Sequence, residues 1–346
     1  MTVPPMLSSI LDRDWLLVIG GQRVPAESRR VFADESPATE EVIATVPDGD
    51  EADVDAAVAA AGPAARAWRR VPARERGALV ADLARVLEEH ADELTLLDAI
   101  DGGHPVTAMH TDVAIAASML RLFAGLAIEL KGSTIPASAE HLHLTVREPF
   151  GLVGRIIPFN HPLMFAAGKI AAPLVAGNAV ILKPPESAPL SALRIGELFA
   201  QVLPPGVLSV VVGDGPAAGR AVARHPVIRR IGFIGSDATG RSIQRDAADA
   251  GVKDVTLELG GKNALIAFPD ADPDQWAPWP RAPSMTGRWP TSASPPARAP
   301  SCWPAAGGRP AWRTSAACSS PRRCSAVSGR TCGLPGRRCS ARFFPL

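Results

Sequence analysis

No cysteine occurs in this chain before Cys302, and no unbroken apolar run approaches the ~20 residues needed to cross a bilayer. The first absence removes a thiol nucleophile from most of the chain, and the second leaves no membrane span to expect. The opening MTVPPMLSSILDRDW lacks a basic start and a long apolar core. No secretion signal is read there, and a cytoplasmic location is the expectation. Cys302, Cys318, Cys324, Cys332 and Cys339 contain no C-x-x-C. His90, His104, His110, His141, His143, His161 and His225 lack metal-ligand spacing, so no metal site is expected.

Other absences are local. From Trp276 to Leu346 there is no Lys, Asp, Glu or Ile and a single valine, Val327, but there are 11 Arg and 12 of the 34 Pro. The preceding residues hold 25 Lys plus Arg against 35 Asp plus Glu, so a charge of −10 meets one of +11 and the chain total of +1 hides the seam. That total gives no electrostatic case for a nucleic-acid or membrane partner. Few β-branched residues and frequent Pro leave the tail without a buried strand and interrupt any helix, so it is not expected to fold alone. Its bias is that of GC-rich coding sequence read out of frame, which points to a frameshift near Gln275. The competing reading is a natural basic, disordered tail.

At 346 residues, with 47% apolar and 21% charged residues, the chain suits two globular domains. An amphipathic helix is expected over DEADVDAAVAAAGPAARAW from Asp50, its acidic first turn matched to the helix dipole. A second is expected from Arg74 to Ile100, with Leu79, Leu83, Val86, Leu87 and Leu94 at helical spacing, stopping at Asp101-Gly102-Gly103. From Gly151 the period changes to short apolar runs: LVGRIIP, AVILKP, LSVVV, RIGFIG and NALIAF. Their near-continuous apolar character means both faces are covered, and the spacers suit crossover helices, so a doubly wound parallel α/β domain is expected. Alternation at Leu142, Leu144 and Val146 predicts an exposed hairpin between Lys131 and Phe150, with His141 and His143 on one face.

Ligands of such sheets sit at the carboxyl ends of the strands. Four segments draw attention there: Pro158-Phe159-Asn160-His161-Pro162, Lys183-Pro184-Pro185-Glu186, Phe233-Ile234-Gly235-Ser236 and Leu257-Glu258-Leu259-Gly260-Gly261-Lys262. The run VVGDGPAAGR, with Gly213, Gly215 and Gly219, is too loose for a dinucleotide fingerprint.

In this order and at these intervals the four segments resemble the PWN-x-P, KP-x-E, F-T/S-GS and LELGGK motifs of the NAD(P)-dependent aldehyde dehydrogenase superfamily. The resemblance begins at Ile43 and fades near Asp272, about the first three quarters of the chain. It implies an aldehyde-dehydrogenase-like α/β fold, with residues 1–262 as a NAD-binding domain that includes an oligomerisation-type hairpin near 131–150. Residues 263–346 would be a remnant of the catalytic domain, disordered from 276. The implied reaction oxidises a small-molecule aldehyde to an acid, with NAD as hydride acceptor and NADP as the less favoured one.

The resemblance also assigns roles. Asn160 would donate its amide to the developing oxyanion. Glu258 would be the general base, a role suited by a pKa that burial raises. Lys183 and Glu186 would contact the adenosine ribose, where a carboxylate favours NAD by repelling a 2′-phosphate. Gly235, Ser236 and Gly240 would meet the pyrophosphate, and Ile156, Ile157, Pro158, Phe159 and Leu259 would complete the cofactor contacts.

One part of the pattern is missing. The family's G-Q-x-C nucleophile would fall near Ser292, where the sequence reads Pro290-Thr291-Ser292-Ala293-Ser294, and Cys302 sits in APSCWP without Gly-Gln. A serine cannot replace the thiolate without its own base. The E-x-F-G-P segment and the strand that pairs with a neighbour's hairpin are also unrecognisable, so the family's homo-oligomer is not carried over. The expectation is a chain inactive as written, or a non-catalytic NAD-binding remnant. The nucleotide sequence around the Gln275 codon, read in the other two frames, is expected to yield an acidic, aliphatic-rich segment. If neither frame does, there is no frameshift.

Overall fold

The computed structural model describes residues 10–261 and, beyond them, only Ala317–Cys318 and Cys324–Ser325. The chain divides into two units, Met1–Thr286 and Gly287–Leu346. In the second, Ala317–Cys318 and Cys324–Ser325 pair as a short antiparallel ladder, a strand pairing that the composition did not announce. The rest of the expected catalytic remnant, including the NALIAF run, lies outside the described residues.

Two hairpins open the described chain. The first joins β1 (Leu17–Ile19) to β2 (Gln22–Val24), and the second joins β3 (Val31–Glu35) to β4 (Val42–Pro47). The β1–β2 turn needs Gly20 and Gly21, whose φ values of 63° and 79° are open to glycine at little steric cost. Helix α1 (Glu51–Trp68) starts where expected, with a capping box between Asp50 and Asp53. Its buried stripe of Val54, Ala57, Val58, Ala61, Ala65 and Trp68 ends on an indole whose N–H donates to the Leu174 carbonyl at 2.9 Å.

The single helix expected from Arg74 to Ile100 is two, α2 (Ala73–Glu89) and α3 (Ala91–Asp101). His90 breaks them with φ −110° and ψ 19°, and its Nδ1 pairs with Glu93 at 3.0 Å. The apolar spacing runs on across the break, so periodicity does not reveal it.

Helix α4 (Val106–Gly125) was not anticipated. With the turn that follows, Val106–Glu129 is by length and composition apolar enough to cross a bilayer. Counting unbroken apolar runs missed it, because His110, Asp112 and Arg121 interrupt the run. One stripe, Met109, Asp112, Val113, Ala116, Ala117 and Leu120, is buried, and α4 packs on α2 and on α5 (Pro162–Val175). Strands β5 (Thr134–Ser138) and β6 (His141–Leu144) form the expected hairpin, exposed along its whole length.

From β7 (Leu152–Ile156) strands and helices alternate: α5, β8 (Ala179–Lys183), α6 (Leu190–Phe199), β9 (Leu208–Val210), α7 (Arg220–Arg224), β10 (Ile228–Ile234), α8 (Asp237–Ala250) and β11 (Asp254–Glu258). The sheet order is β11-β10-β7-β8-β9-β1-β2. Strands β11 through β9 run parallel, and β1 and β2 add an antiparallel edge. Every residue of β8 is buried, as a central strand covered on both faces requires. Strand β11 is not an apolar run, because Val255 and Leu257 alternate with exposed Asp254, Thr256 and Glu258, the period-2 pattern of a strand with one exposed face.

Among the carboxylates buried in this fold are Asp34 on β3, and Asp98 and Asp101 on α3. Burial pushes Asp98 up to about 7 from its ordinary 3.8. It does the same for Asp34 and takes Asp101 well above 3.8, helped by the charge of Asp34. Asp34 and Asp101 hydrogen-bond to each other through their side chains, which requires that one of them carry a proton.

Carboxyls that keep protons to about pH 7 when folded, but release them near pH 4 when unfolded, make stability fall as pH rises between those values. One such group is worth about 3 kcal/mol between pH 5 and pH 8. Burial lowers the His104 pKa from its ordinary 6.5, a smaller effect of opposite sign. The melting temperature is therefore expected to be higher at pH 5 than at pH 8, with Asp98→Asn flattening the difference. A wild-type melting temperature that climbs over this range would mean the carboxyls are ionised in the folded chain.

Candidate functional site

In the parallel register Ile156 lies opposite both Lys183 and Phe233, and Ile234 lies opposite Glu258. Strands β8, β7, β10 and β11 therefore stop at one level. The segments after them, which hold Asn160, Glu186, Ser236 and Leu259, leave from the same edge of the sheet.

Ile156 and Ile157 are buried, so only their backbone faces that edge, and the Ile157 N–H is taken by the Lys183 carbonyl at 3.1 Å. Pro158 is half-buried, while Phe159 and Asn160 are exposed in the bend before α5. At the end of β8 the Lys183 side chain is buried, and its ammonium donates to Glu186 Oε2 at 3.0 Å. Burial alone would raise the Glu186 carboxyl, but the Lys183 ammonium outweighs it and holds the pKa below the usual value. Glu186 is thus ionised at neutral pH.

At the start of α8, Ser236 is the N-cap and accepts the Thr239 N–H at 3.2 Å. The backbone N–H groups of Gly235 and Gly240 are already engaged. The Gly235 N–H bonds the Glu258 carbonyl at 3.0 Å and the Gly240 N–H bonds the Ser236 carbonyl at 2.9 Å, so neither is left for a phosphate. The donors left by helix geometry are those of Asp237 and Ala238. Gly240 serves packing instead, because a Cβ there would come within 2.7 Å of Leu259.

Glu258 is not buried as expected. Its side chain is 54% exposed and pairs with Lys169 Nζ of α5 at 2.7 Å. The cause is its place on β11, which has no outer neighbour among the described residues. Leu259 is exposed as well, and Lys262 lies outside the described residues. Arg155 of β7 crosses the same face, lying over Gly232, where a Cβ would meet Arg155 Nη1 at 1.9 Å. Burial, with Arg230 nearby, lowers the Arg155 pKa, while Glu258 opposes the shift. Arg155, Lys169 and Glu258 share one narrow recess.

Behind Asn160 stands a polar layer that sequence reading did not assemble. His161 Nδ1 meets Asp112 Oδ2 at 2.6 Å. His104 stacks parallel to His161 with ring centroids 6.5 Å apart, and its Nε2 lies 3.4 Å from the Phe159 carbonyl. No sequence motif joins these residues. Lys169 did carry a signal, since it lies nine residues beyond Asn160 along an otherwise apolar helix. Among the described residues no cluster could hold a metal ion. Gly213, Gly215 and Gly219 lie in the segment that leaves the end of β9: Gly213 packs on Gly49, and Gly215–Gly219 form a short helical turn capped by Asp214.

A surface cleft of about 490 Å³ lies elsewhere, between α6 and the β1–β2 turn, lined by Arg13, Arg23, Arg194 and Glu197. Those charges are largely engaged with one another and with Glu93, so the strand ends remain the better candidate.

The aldehyde dehydrogenase family model matches residues 24–281. Aldehyde dehydrogenase tropH of Talaromyces stipitatus is 46% identical over 242 residues, 69% of this chain and 47% of that protein. Retinal dehydrogenase 2 of Homo sapiens is 43% identical over 254 residues, 72% of this chain and 49% of that one. The NAD+ complex of an aldehyde dehydrogenase from Bacillus cereus superposes with a TM-score of 0.74 at 39% identity, over 80% of this chain and 57% of the other. The chain spans about half the length of the curated relatives it matches. The matched segment takes in the four aligned strand ends and the residues that leave them, and the chain belongs to the aldehyde dehydrogenase family.

Proposed function

We propose that these strand ends form the dinucleotide side of a site for NAD-dependent aldehyde oxidation. The observation that carries this reading is the common register that brings Asn160, Lys183, Glu186, Ser236 and Glu258 to one edge. The donors present fit a ribose and a phosphate. The buried Lys183 ammonium spends one N–H on Glu186, which leaves others for a ligand hydroxyl. The ionised Glu186 accepts from a 2′-hydroxyl and repels a 2′-phosphate, which favours NAD over NADP. The first N–H groups of α8 suit a pyrophosphate. Bound NAD would supply the hydride acceptor.

Asn160, exposed in the bend before α5, would donate its amide to an oxyanion. Glu258, half-exposed and paired with Lys169, is the candidate base, a carboxylate within reach of water at the strand end. The chain has no thiol at Ser292, where the family's nucleophile would fall, so binding without turnover is proposed for this polypeptide.

Calorimetric titration with NAD is expected to give a saturable isotherm. Glu186→Gln should weaken NAD about tenfold, as loss of a charged hydrogen bond does, and narrow the preference over NADP. An absent isotherm would remove the dinucleotide reading. With a panel of aliphatic and aromatic aldehydes no steady NADH production is expected, and sustained absorbance growth at the NADH band would overturn the proposed inactivity.

A further inference from the structure

We propose that Asp98 and Asp101 are positioning residues that fix where the two helices after β7 and β8 begin, and so hold the loops bearing Asn160 and Glu186. Asp98 Oδ2 accepts the Leu163 N–H at 3.0 Å, and Asp101 Oδ2 accepts the Leu190 N–H at 2.8 Å. The two carboxylates are three residues apart in the last turn of α3, so they share one helix face. Each serves a different helix, α5 or α6.

Neither helix caps itself. His161 and Pro189, the N-cap residues, make no side-chain cap bond. Leu163 and Leu190 are fully buried, so water cannot replace the missing acceptors, and an orphaned N–H there would carry the full desolvation cost. The acceptors come instead from a helix 65 and 89 residues earlier in the chain. Both side chains are themselves buried, at 1% and 0% exposure, and each presents one carboxyl oxygen, Oδ2, to the start of a helix.

The loops are short. Asn160 lies three residues before Leu163, and Glu186 lies four before Leu190. Each is pinned at one end by a strand and at the other by an aspartate of α3. Asp112 gives the first loop a second tie through His161, and Asp34 backs Asp101 from β3. Helix α3 thus sets the spacing of the two loops from outside the sheet. The functional meaning of that spacing rests on the dinucleotide reading above.

Hydrogen exchange of the unliganded full chain, followed by mass spectrometry, tests the assignment. Asp98→Ala is expected to speed exchange about tenfold or more in the peptide covering 157–165 and leave 184–192 at the wild-type rate, and Asp101→Ala should do the reverse. If the alanine variants do not fold, Asp98→Asn and Asp101→Asn are read instead. Their amide oxygens remain acceptors, so a smaller rise with the same pairing of residue to loop is expected. A uniform rise over the whole chain, a rise in the wrong loop, or no rise in either loop overturns the proposal. Calorimetry with NAD on the wild type is scored separately, so a failure to bind sinks the dinucleotide reading without altering the exchange result.

Discussion

The parallel register of β8, β7, β10 and β11 is the constraint on which the rest of the site depends. Hydrogen-bond ladders lock strands to one another in whole-residue steps, and a slip of one residue turns every side chain to the opposite face. With Ile156 level with Lys183 and Phe233, and Ile234 level with Glu258, the polar residues that follow fall together at one edge. No individual side-chain contact achieves this. It is a property of the ladder, enforced by the burial of Val180, Ile181 and Leu182 in the middle of the sheet.

Around that ladder the polar groups divide by environment. Lys183, Asp98 and Asp101 are buried, and each makes a hydrogen bond to a defined partner, Glu186, Leu163 and Leu190 respectively. Asn160, Glu186 and Glu258 are exposed and free to meet something that arrives from solvent. Buried groups therefore set geometry while exposed ones are left for chemistry, and the pair Lys183–Glu186 joins the two kinds through a single 3.0 Å contact.

Much of this was legible in the sequence. Strands β7, β8 and β10 announce themselves as apolar runs, α1 as a capped amphipathic stretch, and the β5–β6 hairpin by alternation at Leu142, Leu144 and Val146. What stayed hidden did so for physical reasons. The break at His90 leaves the apolar spacing intact, β11 shows only one covered face, and β1 reaches the sheet through the partner pair Val18 and Val210, far apart in sequence. The hydrogen bonds of Gly235 and Gly240 with the backbone, and those of Asp98, Asp101 and Asp112 with distant helices, are tertiary contacts with no local pattern. Motif reading named the residues at the strand ends but could not tell which of their N–H groups were already engaged.

Strand β11 closes one side of the sheet among the described residues, and its backbone donors and acceptors on that side face outward. An uncovered row of that kind is a template on which another chain can add a strand. Here Asp254, Thr256 and Glu258 project from it, exposed, with Arg230 reaching across to Asp254 and Thr256. Among the described residues, a strand added there would come against two exposed carboxylates, Asp254 and Glu258.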